Sequence, residues 1–145
     1  MRSAGKDRPT RLSWFLAQAQ GFFADHPIDQ VRYEEPMKVA IANKIGVNDE
    51  TITILRGTVA LLEVAAVRAG IADIGTFTVL EARKHLVGTS IPQGEGKRQV
   101  MRVCQMLKVP VTNDNEGDAY AGWSYCCGLA NPRIAHLVTP LFSGT

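Results

Sequence analysis

Apolar residues Leu12, Phe15, Leu16, Ala19, Phe22 and Phe23 recur at intervals of one, three and four, which predicts a helix over about 10–25. Pro9 and Thr10 open it, and His26 and Pro27 end it. The β-formers Ile28, Val31 and Tyr33 then predict a strand over 28–34, closed by Pro36, which has no N–H to give to a sheet ladder. Residues 37–49 mix Lys38, Asn43, Lys44, Gly46 and Asn48 with isolated aliphatics, so this segment reads as a loop or a frayed helix start. From Asp49, an expected N-cap, about five turns run to Gly70 with apolar side chains on nearly every face. Such a helix needs cover all round, either from its own chain or from a second subunit. Beyond it the pattern predicts a strand over 76–80, a short helix over 81–87 and a glycine-bearing loop over 88–96. An amphipathic helix over 97–109 and a last helix over 115–129 follow. Residues 1–9 form a polar leader and 131–145 a C-terminal extension.

Alternating strand and helix predicts an α/β fold with more helix than sheet. Two strands make a poor sheet, since an open sheet is usually stable only with three or more. Further strands therefore come from a partner chain, from irregular segments, or from a portion preceding Met1, and the last is the reading preferred here.

Composition narrows the class. A chain of 145 residues has the length of one domain, and 46% hydrophobic with 21% charged residues is a globular balance. No stretch approaches the eighteen or so apolar residues of a membrane span, and charges stand where a secretory signal would be apolar, so a cytoplasmic protein with no membrane partner is expected. Sixteen Lys and Arg against fourteen Asp and Glu leave +2, too little by itself to argue for a polyanion. Cys104, Cys126 and Cys127 lack the CxxC spacing of a zinc site and read as small apolar residues in a reducing compartment.

Position has to supply the chemistry. Glu34 and Glu35 end the first strand, where open α/β sheets place their ligand crevice, although alternation sends adjacent side chains to opposite faces. A second acid cluster, Asp114-Asn-Glu116-Gly-Asp118, opens the last helix. Acids there complement the helix dipole, and Asp114 or Asn115 would serve as an ordinary cap. Asp118 lies further in, one turn beyond Asp114 and beside the small Ala119 and Ala121, which would let the helix pack closely and aim the acid inward. Converging carboxylates suit Mg²⁺ or Mn²⁺ and phosphoryl transfer. Between the acids fall Arg83, Lys84 and His85, then Lys97, Arg98 and Arg102 beyond a loop with Gly94 and Gly96. A glycine-bearing helix start followed by Lys suits phosphate, and a plain solvated helix face is the alternative. It is not a Walker loop, because Arg98 stands where Ser or Thr would be needed.

Taken in order, Val31-Arg-Tyr-Glu34-Glu-Pro, a long helix, a strand, Glu81-Ala-Arg-Lys84-His-Leu-Val-Gly88, Gly96-Lys97-Arg-Gln99-Val100 and Asp114-Asn-Glu-Gly-Asp118-Ala-Tyr-Ala121 resemble the RuvC-type Holliday-junction resolvases of the RNase H-like nucleases. The resemblance spans about 28–130. It implies a three-layer RNase H-like fold, N-terminally incomplete and helix-rich, in a bacterial or phage-encoded, Mg²⁺- or Mn²⁺-dependent endonuclease that cuts branched DNA as a homodimer. By motif position, Glu34 is the strand acid and Asp118 the last helix acid, with Asp114 or Glu116 as a further metal ligand. Lys84 and Lys97 stand around the scissile phosphate. Arg83, Arg98, Met37 and Lys38 are further expected DNA contacts, and the helix near 50–70 is the dimer helix.

The chain departs from that pattern in three places. No strand with a first catalytic Asp precedes the first helix, Asn115 occupies the position three residues before the terminal Asp, and Met37 replaces an aromatic residue after the strand Glu. The alternative is therefore a catalytically incomplete module that binds junctions or dimerises without cutting. A plainer option is a helix-rich α/β protein whose acids are caps and whose cations only solubilise it.

Overall fold

A computed structural model describes residues 7–88 and 91–134. Among the described residues the molecule is mixed α/β and about two thirds helical, with two parallel strands. By internal packing the chain falls into two compact units, 1–75 and 76–145.

In the first unit, α1 (Arg8–Asp25) begins at Asp7, whose carboxylate accepts hydrogen bonds from Thr10 N at 3.0 Å and Thr10 Oγ1 at 2.8 Å. It ends where the Phe22 carbonyl accepts from His26 N, just before Pro27. Strand β1 (Gln30–Glu34) follows, then the short α2 (Val39–Lys44), which resolves the patternless 37–49 segment as a helix turn started on the Lys38 carbonyl. Helix α3 (Asp49–Arg68) is capped by Asn48, not Asp49: the Asn48 side chain accepts from Thr51 N at 2.8 Å, which leaves Asp49 in the first turn facing the helix dipole. Gly70, at φ 83°, ends it, and Ile71 N donates back to the Ala66 carbonyl. Strand β2 (Asp73–Phe77) then pairs in parallel with β1, joined to it by the α2–α3 crossover that parallel strands require. Helix α1 lies along α3, where Gly57 admits the Leu12 side chain. The buried core of this unit is small: Val31, Ala66 and Ile71, flanked by Phe23, Ile28, Leu62 and Ile74.

The second strand lies three residues earlier than the sequence pattern placed it, because Thr78 is taken by a helix cap. Its Oγ1 accepts from Glu81 N while Glu81 accepts from Thr78 N, a capping box that starts α4 (Val79–Val87). Leu80 is thus helical. Gly88, left-handed at φ 75°, ends α4. Helix α5 (Gly96–Met106) stops short of the expected 109 because Lys108 is left-handed at φ 57° and Pro110 follows. Helix α6 (Asp114–Ala130) is followed by one 3₁₀ turn, Pro132–Ile134. Ala82, Leu86, Val100, Val103, Cys104 and Ala121 form a continuous core among these three helices. The start of the polar leader, 1–6, and most of the C-terminal extension, 135–145, lie outside the described residues.

No helix among the described residues is long and apolar enough to cross a membrane.

Candidate functional site

The second unit holds the charged cluster, and small residues on α6 decide how close its parts come. A Cβ added at Gly117 would sit 2.9 Å from Met101 Sδ and 3.2 Å from Val100 Cγ1, both on α5. One added at Gly122 would sit 2.3 Å from Phe77 Cζ. The face of α6 that packs inward is made of Gly117, Ala121, Gly122, Ser124 and Gly128. Of the two alanines expected there, Ala121 is buried but Ala119 is exposed, because Ala119 lies on the far side of the helix from the middle of that face.

Asp118 stands beside this face and is engaged by α4. Arg83 Nε donates to Asp118 Oδ1 at 2.8 Å and Arg83 Nη2 donates to Oδ2 at 2.6 Å, a two-pronged pair whose side chains keep only 19% and 17% of their exposure. The guanidinium runs past the start of α5: a Cβ at Gly96 would lie 2.8 Å from Arg83 Nη1. Glycine at that position is therefore what lets Arg83 reach Asp118 beside the positive end of a helix, where the carboxylate offsets the repulsion.

One turn earlier on α6, Asp114 accepts from Lys97 Nζ, and this neighbouring ammonium holds the Asp114 carboxyl below the usual range. Both partners are substantially exposed. Glu116 turns back onto its own helix start. Its Oε2 accepts from Thr112 N at 2.6 Å and Thr112 Oγ1 at 2.9 Å, which lowers its pKa, while Asn113 Oδ1 accepts from Glu116 N at 3.0 Å. The N-cap is thus Asn113, where the sequence pattern pointed to Asp114 or Asn115. The spacing Asn113-x-x-Glu116 is the signal that identifies it.

Of the other expected site residues, Lys84 is exposed on α4 and Arg98 forms an ion pair with Glu95. Glu34, Met37 and Lys38 belong to the first unit. Glu34 is exposed at the end of β1, Met37 is half-exposed, and Lys38 is exposed with its carbonyl holding the first turn of α2. The structure therefore brings together Arg83, Lys97, Asp114 and Asp118, from three separate sequence segments, within the second unit.

The three α6 acids are each committed to a partner, so in this arrangement they do not fit a divalent cation. Among the described residues, no group of three or more His, Cys, Asp or Glu is placed to hold a metal ion.

One residue near the cluster was read only as part of a basic run. His85 packs edge-on against Tyr125 with ring centroids 5.6 Å apart, and its buried Nε2 has no hydrogen-bond partner among the described residues. Burial holds its pKa below the ordinary value, against the opposing effect of a hydrogen bond to the Ser124 backbone. It is a neutral packing histidine. The helical offset from the core residues Ala82 and Leu86, three before and one after, is the signal for it.

No protein-family model, curated protein or solved structure matches the chain.

Proposed function

We propose that this chain is a RuvC-like member of the RNase H-like nucleases, a divalent-metal-dependent endonuclease acting on four-way or branched DNA as a homodimer. One observation carries the reading. Residues that the resemblance selects at 83, 97 and 114–118 come from three helices, yet they form one cluster in which cations and carboxylates alternate. Parallel strands joined by a helical crossover support the three-layer fold of that family. The exposed Leu55, Val64 and Val67 on α3 support a dimer formed along that helix.

In this reading Lys84 and Lys97 hold backbone phosphates, and Mg²⁺ or Mn²⁺ is what the family resemblance implies, not what the α6 acids as arranged here would hold. The paired state of Asp114 and Asp118 offers no open carboxylate pair, so the metal requirement rests on the resemblance alone. The same pairing favours a second reading. Arg83 occupies both oxygens of Asp118 and Asn115 replaces a carboxylate, as expected of a module that binds junctions without cutting them.

The deciding experiment incubates a labelled synthetic four-way junction with the protein and Mg²⁺ or Mn²⁺. Cleavage that disappears in Asp118→Asn, Lys97→Ala and Glu34→Gln, with junction binding retained, supports the nuclease. Binding without cleavage by the wild type replaces it with the second reading, and no binding with or without metal ends both.

A further inference from the structure

Helix α5 presents a second surface that the cluster on α6 does not use. Its core face is Val100, Val103 and Cys104. Arg98, Arg102 and Gln105 follow one another at i, i+4 and i+7 on the side turned away from that core. Lys97, which reaches Asp114, is one residue and about 100° of helix away from Arg98. With Met101, Val109 and Val111, these three polar side chains line a groove of about 510 Å³.

The chemistry of this groove points one way. Among the described residues that line it, none is acidic. Arg98 is ion-paired with Glu95, whose side chain keeps 32% of its exposure while the arginine keeps 77%, whereas Arg102 makes no ion pair or hydrogen bond among the described residues. Two guanidinium groups one turn apart, about 6 Å along the helix, form a regular line of forked donors. A carboxamide continues the line, and the floor is apolar. An anion with one charge at an even repeat and apolar surface between charges matches both features. Phosphate groups joined by sugars have that pattern, whereas an acidic peptide carries its charges on flexible stems and offers nothing regular to the floor.

We propose that the α5 groove binds the sugar–phosphate backbone of a nucleic-acid strand, with Arg98 and Arg102 on neighbouring phosphates, Gln105 on a further backbone oxygen, and Met101, Val109 and Val111 against the sugars. The proposal rests on the nucleic-acid part of the function proposed above and on none of its hydrolytic part. It adds a strand path that contacts backbone only and is therefore indifferent to base sequence.

The test measures binding of a labelled duplex and a labelled four-way junction by fluorescence anisotropy in EDTA, at salt from about 50 to 200 mM. Each phosphate contact contributes about 0.9 to the slope of log affinity against log salt. Arg98→Gln/Arg102→Gln should lower that slope by about two for both DNAs, while the charge-matched Arg8→Gln/Arg11→Gln on α1 leaves it unchanged. A slope equal to the wild type in the α5 variant overturns the proposal. So does an equal fall in the α1 variant, which would reveal only overall charge. Polyglutamate that displaces DNA at matched charge, and loses affinity equally in the α5 variant, would assign the groove to an acidic peptide instead. Junction cleavage with metal by a protein whose slope ignores Arg98 and Arg102 removes the groove and keeps the nuclease. The predicted slope change without cleavage keeps the groove and removes hydrolysis, and absence of any DNA binding by the wild type removes both.

Discussion

The two units differ in how much of their apolar surface their own residues cover. In the first, the 18-residue α1 buries no side chain fully and the 20-residue α3 buries only Ala65 and Ala66. Phe22, Leu55 and Val67 remain more than half exposed, and a hollow of about 730 Å³ opens among α1, β1 and Leu62. In the second, five residues of α6 are buried, and ion pairs tie α4 and α5 to it. Small residues explain the contrast: glycines at 117 and 122 bring α6 into contact with Met101 and Phe77, so a modest number of side chains encloses a core. The first unit has large apolar residues, and the approach of Leu12 to Gly57, where an added Cβ would lie 3.1 Å away, leaves most of them uncovered. It holds surface that a second copy could cover, while the second unit holds the fixed geometry that a binding cluster needs.

The largest expected effect separates a structural ion pair from an incidental one. Arg83→Leu leaves the largely buried Asp118 carboxylate without its forked donor and should cost roughly 2–3 kcal/mol of unfolding free energy in urea titrations. Loss of less than a few tenths would show that the second unit does not depend on this pair. Next comes Gly122→Ala. The added methyl meets the Phe77 ring and forces it to move, at about 1–3 kcal/mol, against about 1 kcal/mol gained from helix propensity, so a modest net destabilisation is expected. A stabilised Gly122→Ala would mean that the close approach at Phe77 is loose.

Some of this was legible in the sequence and some was not, for physical reasons. Periodicity located α1, α3 and α6 to within two residues or so, because long amphipathic or apolar runs carry a repeated signal. Strand β2 was displaced because Thr76 to Leu80 looks β-forming in composition, while Thr78 and Glu81 commit that stretch to a capping box. A cap is a reciprocal geometry, visible as Thr-x-x-Glu once it is sought. The acid cluster was found as a cluster, but Arg83 and Asp118 are 35 positions apart, their union depends on the segment between them folding first, and no local pattern encodes it. Arg83 was expected to meet DNA and Asp118 a metal, and their mutual pairing is what the structure adds.

The same contrast can be sharpened from the first unit. Gly21 lies in the exposed interior of α1 with nothing within 4 Å of an added Cβ. Gly21→Ala should therefore stabilise by about 0.5–1 kcal/mol, opposite in sign to Gly122→Ala, because only chain entropy changes. Thermal melts of the two variants side by side read the difference, and matching signs would erase the distinction between open and closed helix packing.

The smallest effect expected is a pH dependence that belongs to the second unit. His85 is held below its ordinary pKa of 6.5 by burial, so the folded state binds its proton less readily than the unfolded chain does. Stability from this group is complete above the unfolded value and falls as the pH drops below it, through the lower folded pKa. The useful quantity is the change in urea midpoint between pH 7.5 and 5.5 in the wild type minus that in His85→Phe, which keeps a ring against Tyr125 and cancels the contributions the two proteins share. Asp114 and Glu116 do not confuse the comparison, because their lowered carboxyl pKa values lie well under that window. The wild type should lose more stability on acidification than the variant. Equal losses would show that the His85 ring reaches water, and that the face of α4 against Tyr125 is as loosely covered as the helices of the first unit.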